Sequence, residues 1–280
     1  MIEKKSVQKY LRHLVPLPTS LIPRGRLQNK IKCVLFDIYG TLFISGSGDI
    51  SLADKKSPEI GQIKKLLAQY AIRKTPQTLL GEYYRAIKSR HKKLRQRGVD
   101  FPEVNIDWIW MKVLPENDRN IARQFAVEFE LITNPVYPMP NLARLLSACR
   151  HQGISMGIIS NAQFYTPCLF RWFLNSDLKD LAIDPELVLY SYRYEVAKPS
   201  PMLFKNAAEK LKTKGISPSN VLYLGNDMLN DIYPAKATGF QTALFAGDNG
   251  SLRLRSDDPR CKNLRADLVI TDLIQLIRHI

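Results

Sequence analysis

The sequence predicts an α/β fold in which a parallel sheet presents polar side chains at its carboxyl edge. Three short apolar runs, at 34–36, 156–159 and 221–224, each end directly in polar residues. Apolar runs of this length are typical of strands that are buried on both faces of a parallel sheet. Open α/β folds bind ligands beyond the carboxyl ends of such strands, so we expect these polar residues to form one site.

Residues 1–30 predict a basic arm. Lysine or arginine stands at positions 4, 5, 9 and 12, and Glu3 is the one acid in this stretch. Prolines at positions 16, 18 and 23 interrupt the apolar positions that follow, whereas a secretory signal peptide needs a continuous apolar stretch. We therefore expect a short helix and then an extended arm that packs on the core.

The first apolar run delivers Asp37 to the carboxyl edge of the sheet. Gly40 follows it, and a glycine lets the backbone approach a ligand closely. A carboxylate in this position can act as a nucleophile, although an aspartate here can also cap a turn. Residues 43–50 continue as a glycine- and serine-rich connection of the kind that forms a mobile flap.

Residues 51–136 predict a helical module between the first two strand motifs. Apolar side chains recur there at helical spacing, and strand signals are nearly absent. One helix carries the densest cluster of the chain's net charge of +15: Arg85, Lys88, Arg90, His91, Lys92, Lys93, Arg95 and Arg97. The cluster is either a solvated helix face or a positive surface that attracts an anionic substrate. We do not expect nucleic-acid binding, because no recognition motif accompanies the charge.

Three further motifs follow in the order expected of successive strands. Each places side chains that can bind a phosphate or a metal near a strand end: Ser160, Asn161, Lys198, Asn226, Asp227 and Asp231. Together with Asp37, this set predicts a phosphoryl-transfer site with a metal. Around these motifs, Asn141 is the expected N-cap of a helix, 243–246 and 268–270 the last strands, 248–262 a surface loop and 273–280 a closing helix.

Composition limits the class of protein. A chain of 280 residues with 45% hydrophobic content can bury one substantial core and a smaller module. No apolar run approaches the roughly 20 residues of a membrane span, so we expect no membrane partner. The four cysteines are scattered without Cys-x-x-Cys spacing, which indicates reduced thiols in a cytoplasmic protein.

The four motifs resemble those of the haloacid dehalogenase-like (HAD) hydrolase superfamily, and the resemblance runs from about Lys32 to the C-terminus. It implies a Rossmann-like α/β core with a parallel sheet over residues 31–50 and 137–280. An inserted all-helical cap would occupy residues 51–136. The basic arm, residues 1–30, lies outside the resemblance.

The resemblance also implies a role for each motif. Asp37 would attack the substrate and form a covalent aspartyl intermediate that water then hydrolyses. Thr41 would orient the loop and help to hold the transferring group, Ser160 would hydrogen-bond one of its oxygens, and Lys198 would neutralise charge. Contacts to the substrate or its phosphate are expected from Tyr39, Gly40, Asn161 and Arg85.

A Mg²⁺ cofactor is implied as well. The family pattern places an aspartate directly after a glycine, but here Asn226 follows Gly225 and the acids are Asp227 and Asp231. Either Asn226 supplies a weaker amide oxygen or Asp227 takes over the role. The expected ligands are Asp37, the backbone carbonyl of Tyr39, Asn226, Asp227 and Asp231, since Mg²⁺ prefers oxygen.

Tyr39 is the main departure from the phosphatase pattern, which usually has an aspartate there as general acid and base. A phenol with a pKa of about 10 transfers protons poorly at neutral pH. The family's haloacid dehalogenases resemble this chain in carrying tyrosine, and they displace halide, which needs no proton. We expect a Mg²⁺-dependent phosphatase of a small anionic phosphorylated substrate. The alternatives are a 2-haloacid dehalogenase-like hydrolase and a non-catalytic HAD-fold binding module.

Overall fold

The computed structural model describes residues 2–45, 58–116 and 118–280; residues 46–50 of the expected flap lie outside this set. The strands are Arg24–Gly25 (β1), Cys33–Phe36 (β2), Phe43–Ser45 (β3), Val136–Pro138 (β4), Ser155–Ser160 (β5), Ile183–Tyr190 (β6), Val221–Gly225 (β7), Gln241–Phe245 (β8) and Leu268–Ile270 (β9). The helices are Lys4–Val7 (α1), Pro58–Gln69 (α2), Pro76–Gln96 (α3), Ile106–Val113 (α4), Arg119–Thr133 (α5), Leu142–His151 (α6), Thr166–Leu174 (α7), Ser191–Tyr194 (α8), Met202–Thr213 (α9), Tyr233–Ala237 (α10) and Leu273–Leu276 (α11).

The main sheet has the strand order β1-β9-β8-β7-β2-β5-β6. β2 lies between β7 and β5 and is parallel to both, with Phe36 opposite Leu224 on one side and Ile158 on the other. β1 pairs antiparallel with β9 at the edge. The predicted α/β fold with a parallel sheet is confirmed, and the three polar strand ends are neighbours.

β2 is apolar throughout because both of its faces are covered. Val34 and Phe36 belong to the larger hydrophobic cluster on one side of the sheet, and Cys33 and Leu35 belong to a second cluster on the other side. A strand buried on both faces reads as a continuous apolar run, without the alternation of a half-exposed strand. The position after this run therefore lies at a protected edge of the sheet.

α2 to α5 form a helical layer around an aromatic cluster. Trp110 stacks on Tyr83 with ring centroids 4.5 Å apart, and it meets Phe125 and Phe129 edge-on at 4.8 Å. Such aromatic pairs add to the gain from burying apolar surface. No helix among the described residues has both the length and the apolar character of a membrane span.

The two-stranded sheet β3-β4 joins the two ends of this helical segment. Phe43 pairs with Pro138 and Ser45 with Val136, in antiparallel register. Residues 37–42, between β2 and β3, form the nucleophile loop, named for the predicted role of Asp37. The chain leaves this loop along β3 and returns from α5 along β4, so the C-terminal end of α5 lies close to it.

Several local expectations need correction. Asn141 occupies the N-cap position of α6 as expected, but its backbone is left-handed, with a φ of 64°, and its side-chain amide donates to the Asp272 carboxylate, so the side chain makes no cap hydrogen bond. The closing helix α11 ends at Leu276, before the predicted end. Segment 248–262 is more than a surface loop, because Asp248 and Ser251 are buried. The arm is short helix and then extended chain, as expected, and its Leu17 amide donates to Asp248 at 2.8 Å.

Candidate active site

A buried lysine joins two buried carboxylates at the carboxyl edge of the sheet. Nζ of Lys198 lies 2.6 Å from Oδ1 of Asp37, after β2, and 2.6 Å from Oδ1 of Asp231, beyond β7. The same ammonium also contacts the Tyr223 hydroxyl at 3.1 Å. The structure thus brings together the predicted nucleophile, the predicted lysine and one predicted acid.

The electrostatics of this group follow from its burial. The two carboxylates raise the pKa of Lys198 against the opposing effect of desolvation, so the lysine is cationic. Burial raises the pKa of Asp231 to about 7; the Lys198 ammonium opposes that shift, and the nearby charge of Asp37 adds to it. One cation faces two acids, so the centre favours a cationic or hydrogen-bonding partner for the second acid.

Asn161 fixes the position of the loop that carries Lys198. Its side-chain oxygen accepts a hydrogen bond from the Lys198 amide at 2.7 Å, and its amide donates to the Lys198 carbonyl at 3.3 Å. Beside it, the Ser160 hydroxyl is fully buried and has no hydrogen-bond partner within the part of the chain that the structure describes. A buried hydroxyl without a partner is costly, so this one has capacity for a ligand oxygen.

The nucleophile loop requires glycine. Gly40 has a φ of +82°, and a Cβ there would lie 2.4 Å from the amide nitrogen of Asn226 and 2.7 Å from Cβ of Ser251. The Thr41 hydroxyl, also buried, donates to the Asn226 side-chain oxygen at 3.2 Å. The loop after β2 is therefore packed directly against the loop after β7.

The carboxylate of Asp227 makes several structural hydrogen bonds. Its carboxylate accepts from Nη2 of Arg255 at 2.6 Å and from Nε of Arg255 at 3.1 Å, and it caps the following turn through the amides of Leu229 and Asn230. Both oxygens of Asp231 also accept hydrogen bonds, the second from the Asp227 amide at 2.9 Å. Metal ligation by either acid would compete with these contacts.

These contacts make Asp227 and Asp231 weaker candidates for the expected Mg²⁺ site than Asp37, Tyr39 and Asn226. Across the described residues, no group of three or more His, Cys, Asp or Glu side chains is placed to hold a metal ion. Asn226 remains: its amide nitrogen donates to the Ser251 carbonyl at 2.6 Å, which turns its oxygen toward Thr41 and the nucleophile loop. The residues fit a site with one carboxylate, from Asp37, and neutral oxygens from Tyr39 and Asn226. Such a site relies on the substrate's own oxygens.

The Tyr39 side chain is poorly suited to proton transfer. Its hydroxyl hydrogen-bonds the Thr166 hydroxyl at 3.0 Å. Burial, with the nearby charge of Glu130, raises the pKa of Tyr39 well above its usual value. At neutral pH the phenol is therefore neutral, and it is a weaker acid than an exposed tyrosine.

A cavity of about 490 Å³ opens beside this centre, between the helical layer and the sheet. Lys198, Asn161 and Tyr39 line it from the core side. From α3 it is lined by Lys88 and His91, together with aromatic and aliphatic side chains. Arg85, the predicted substrate contact, is exposed, and its guanidinium donates to the Gly81 carbonyl. The structure does not bring Arg85 to the cavity.

Sequence reasoning missed three residues of this region. Tyr223 contacts both Lys198 and Asp231, Arg255 pairs with Asp227, and Glu130 lines the cavity from the last turn of α5. Tyr223 could have been found as the one polar side chain in the third apolar run. Arg255 and Glu130 carry no sequence signal, because only the folded chain brings them to the site.

Known proteins resemble this chain in sequence and in fold. The chain is 30% identical over 188 residues to glyceraldehyde 3-phosphate phosphatase of Pyrococcus furiosus, covering 66% of this chain and 71% of that protein. In fold it is similar to a 2-haloacid dehalogenase of Pseudomonas syringae pv. Tomato DC3000, with a TM-score of 0.54 and 19% identity over 89% of this chain and 97% of the other. A HAD phosphatase of Thermococcus onnurineus is similar with a TM-score of 0.52 and 19% identity, over the same shares of the two chains.

The family model of haloacid dehalogenase-like hydrolases matches residues 31–239. This span contains all four motifs, from the Asp37 loop to Asp231. The chain belongs to the haloacid dehalogenase-like hydrolase family, and it is a hydrolase of that family.

Proposed function

We propose that this hydrolase removes phosphate from a small anionic phosphorylated substrate, through a covalent intermediate on Asp37. The observation that carries the proposal is the buried Lys198 ammonium, 2.6 Å from the Asp37 carboxylate. At the end of the neighbouring strand β5, the buried Ser160 hydroxyl has no partner among the described residues. A fixed cation and a hydrogen-bond donor next to a nucleophile stabilise the charge that develops on a transferring phosphoryl group.

Each residue at this centre has a distinct task in the proposed reaction. Asp37 attacks phosphorus as an ionised carboxylate, which needs no base. Lys198 neutralises charge on Asp37 and on the intermediate, and the Ser160 hydroxyl donates to a phosphoryl oxygen. Thr41 and Gly40 keep the nucleophile loop against Asn226, which fixes the direction of attack.

Mg²⁺ dependence is part of the proposal. The ion would be held by Asp37, the carbonyl of Tyr39 and the amide oxygen of Asn226, and it would neutralise charge on the phosphate when bound. With one carboxylate among these ligands, we expect binding to be weak until the substrate adds its own oxygens.

Three further observations support a phosphorylated substrate. The cavity of about 490 Å³ has ample room for a sugar-phosphate-sized molecule, whereas a 2-haloacid has only a few heavy atoms. Lys88 lines the cavity and can attract an anion. The similar protein from Pyrococcus furiosus is named a glyceraldehyde 3-phosphate phosphatase.

A 2-haloacid dehalogenase-like activity is the second candidate, and specific residues favour it. Tyr39 replaces the acid that a phosphatase would use, and Asp227 is paired with Arg255. Displacing halide from carbon needs neither a proton donor nor a metal. A non-catalytic binding role is the third alternative, which the same experiment addresses.

A hydrolysis screen distinguishes these functions. Phosphate esters, acyl phosphates and 2-haloacids should each be incubated with the protein, once with Mg²⁺ and once with EDTA. The proposal predicts phosphate release that EDTA suppresses. Halide release that EDTA leaves unchanged would establish the second candidate, and no turnover of any class would favour the third.

A further inference from the structure

We propose that Glu130, on the last turn of α5, supplies the proton to the leaving group that Tyr39 cannot supply. This inference rests on the proposed phosphatase function. It assigns to the helical layer a chemical step that the family pattern places on the nucleophile loop.

Glu130 and Tyr39 both line the cavity, together with Lys198, whose ammonium contacts Asp37. Two consecutive residues join them: the Tyr165 hydroxyl donates to the Glu130 carboxyl group, and the Thr166 hydroxyl hydrogen-bonds the Tyr39 hydroxyl. Glu130 is thus placed beside the side chain that occupies the usual position of the acid.

The carboxyl group of Glu130 is held in a fixed orientation. Nδ2 of Asn134 donates to Oε1 of Glu130 at 2.9 Å, and the Ser45 hydroxyl donates to Oδ1 of Asn134 at 2.8 Å. Ser45 ends β3, which leaves the nucleophile loop. The acid is therefore tied to the same strand pair that connects the helical layer to the nucleophile loop.

The surroundings favour a protonated acid. Burial raises the pKa of Glu130, with only partial opposition from its hydrogen bonds to Asn134 and Tyr165. Tyr39, Tyr83 and Tyr165 face it, and because their pKa values are raised well above the usual value, all three are neutral. A raised pKa brings the protonated form of a carboxyl group closer to neutral pH, which suits it to general acid catalysis.

His91 and Glu103 also line the cavity and are weaker candidates. Burial and the charge of Arg95 lower the pKa of His91, which leaves it neutral and with little proton to give at neutral pH. Both oxygens of Glu103 are engaged, since one accepts from the amide of Val104 and the other from the Ser191 hydroxyl. By contrast, Glu128 is on the same helix as Glu130 but faces the arm through Tyr10.

The proposed step balances as follows. An oxygen of Asp37 forms a bond to phosphorus while the bond from phosphorus to the leaving oxygen breaks, and the Glu130 proton passes to that oxygen. In the second half, water attacks phosphorus, its proton passes to the Glu130 carboxylate, and the bond from phosphorus to Asp37 breaks. Phosphate is released, and both acids return to their starting forms.

The test is the dependence on the leaving group in Glu130→Gln. An alkyl phosphate leaves as an alkoxide that needs a proton, whereas an activated aryl phosphate leaves as a stable anion. We expect kcat/KM to fall about 100-fold on the alkyl ester and about threefold or less on the aryl ester. The aryl rate also shows that the variant is folded.

Glu103→Gln is the matched control, because it removes the other cavity acid, and it should change both substrates by the same factor. Equal losses on both esters in Glu130→Gln, or no loss on the alkyl ester, would overturn the role of Glu130 while leaving the phosphatase function intact. A wild-type protein that hydrolyses neither ester would instead overturn the proposed function and this inference with it.

Discussion

Replacing Lys198 by methionine should destabilise the protein strongly and in a way that depends on pH. Methionine keeps most of the side-chain volume and removes the ammonium. Nζ of Lys198 lies 2.6 Å from an oxygen of Asp37 and of Asp231, and these three side chains are exposed by 3%, 8% and 1%. The substitution therefore leaves two buried carboxylates without their cation.

Removing one partner of a buried ion pair costs about 3–5 kcal/mol, because the remaining charge stays desolvated. With an unfolding entropy of about 2.1 cal/mol/K per residue over the 280 residues, this loss corresponds to a decrease in Tm of roughly 5–9 °C. Activity should be lost as well, since a preorganised charge at the reacting centre is removed.

The sign of the pH dependence follows from Asp231. Burial raises its pKa to about 7 in the folded protein, from a usual value of 3.8. Because the folded state then binds the proton more tightly, the contribution of this group to stability falls as the pH rises from about 4 to about 7. The Lys198 ammonium opposes this rise in the pKa of Asp231. In Lys198→Met the pKa of Asp231 is therefore higher still, and the loss of stability is larger and continues to higher pH.

Thermal denaturation of the wild type and Lys198→Met at about pH 5 and about pH 8 measures this effect. The deficit should be clearly larger at about pH 8, where unpaired carboxylates stay ionised. Lys214→Met is the matched control, since Lys214 also bridges two acids, Asp184 and Glu186, but at the surface. It should have little effect. Equal deficits for Lys198→Met at both pH values would refute the argument.

Three further predictions concern the reacting centre. Asp37→Asn should abolish turnover and leave the fold intact by circular dichroism; substantial residual turnover would exclude the covalent mechanism. Asn226→Asp should bind Mg²⁺ more tightly in calorimetry, although it loses the hydrogen bond to the Ser251 carbonyl, whereas Asp227→Asn should leave Mg²⁺ affinity unchanged. In the Glu130→Gln background, Tyr39→Asp should raise turnover of alkyl phosphates more than that of activated aryl phosphates, and an equal effect on both would show that proton donation does not limit the rate.

The sequence was sufficient to predict the sheet and the residues at its carboxyl edge. Strands buried on both faces leave continuous apolar runs, and the polar residues after them must lie side by side once the strands are parallel and adjacent. Asp37 and Ser160 could be placed for this reason, whereas Lys198 lies beyond β6 and a short helix and was predicted from the order of the motifs. The pairing of Asp227 with Arg255 could not, because it depends on how segment 248–262 packs back over β7.

Arg85 illustrates a second limit. The pattern of α3 shows that its charged and apolar residues alternate at helical spacing, but it does not show which turn of the helix faces the cavity. In the structure, residues 83, 84, 87, 88 and 91 line the cavity, a set that recurs every three or four residues as one face of a helix requires. Arg85 follows Tyr84 directly, is rotated by about 100° from it, and lies outside that face.

The connectivity of the helical layer explains how Glu130, far along the chain from Asp37, lines the same cavity as Tyr39 and Lys198. β3 leaves the Asp37 loop directly, and β4 returns from α5 and pairs with it, Ser45 opposite Val136. This pairing holds the last turn of α5 beside the loop, and the hydrogen bond from Ser45 to Asn134 reinforces it. A side chain on that turn can therefore serve the same centre as one on the loop. In this chain the loop offers Tyr39 and the turn offers an acid, so the loss of a proton donor at one position can be offset at the other without any change in the sheet.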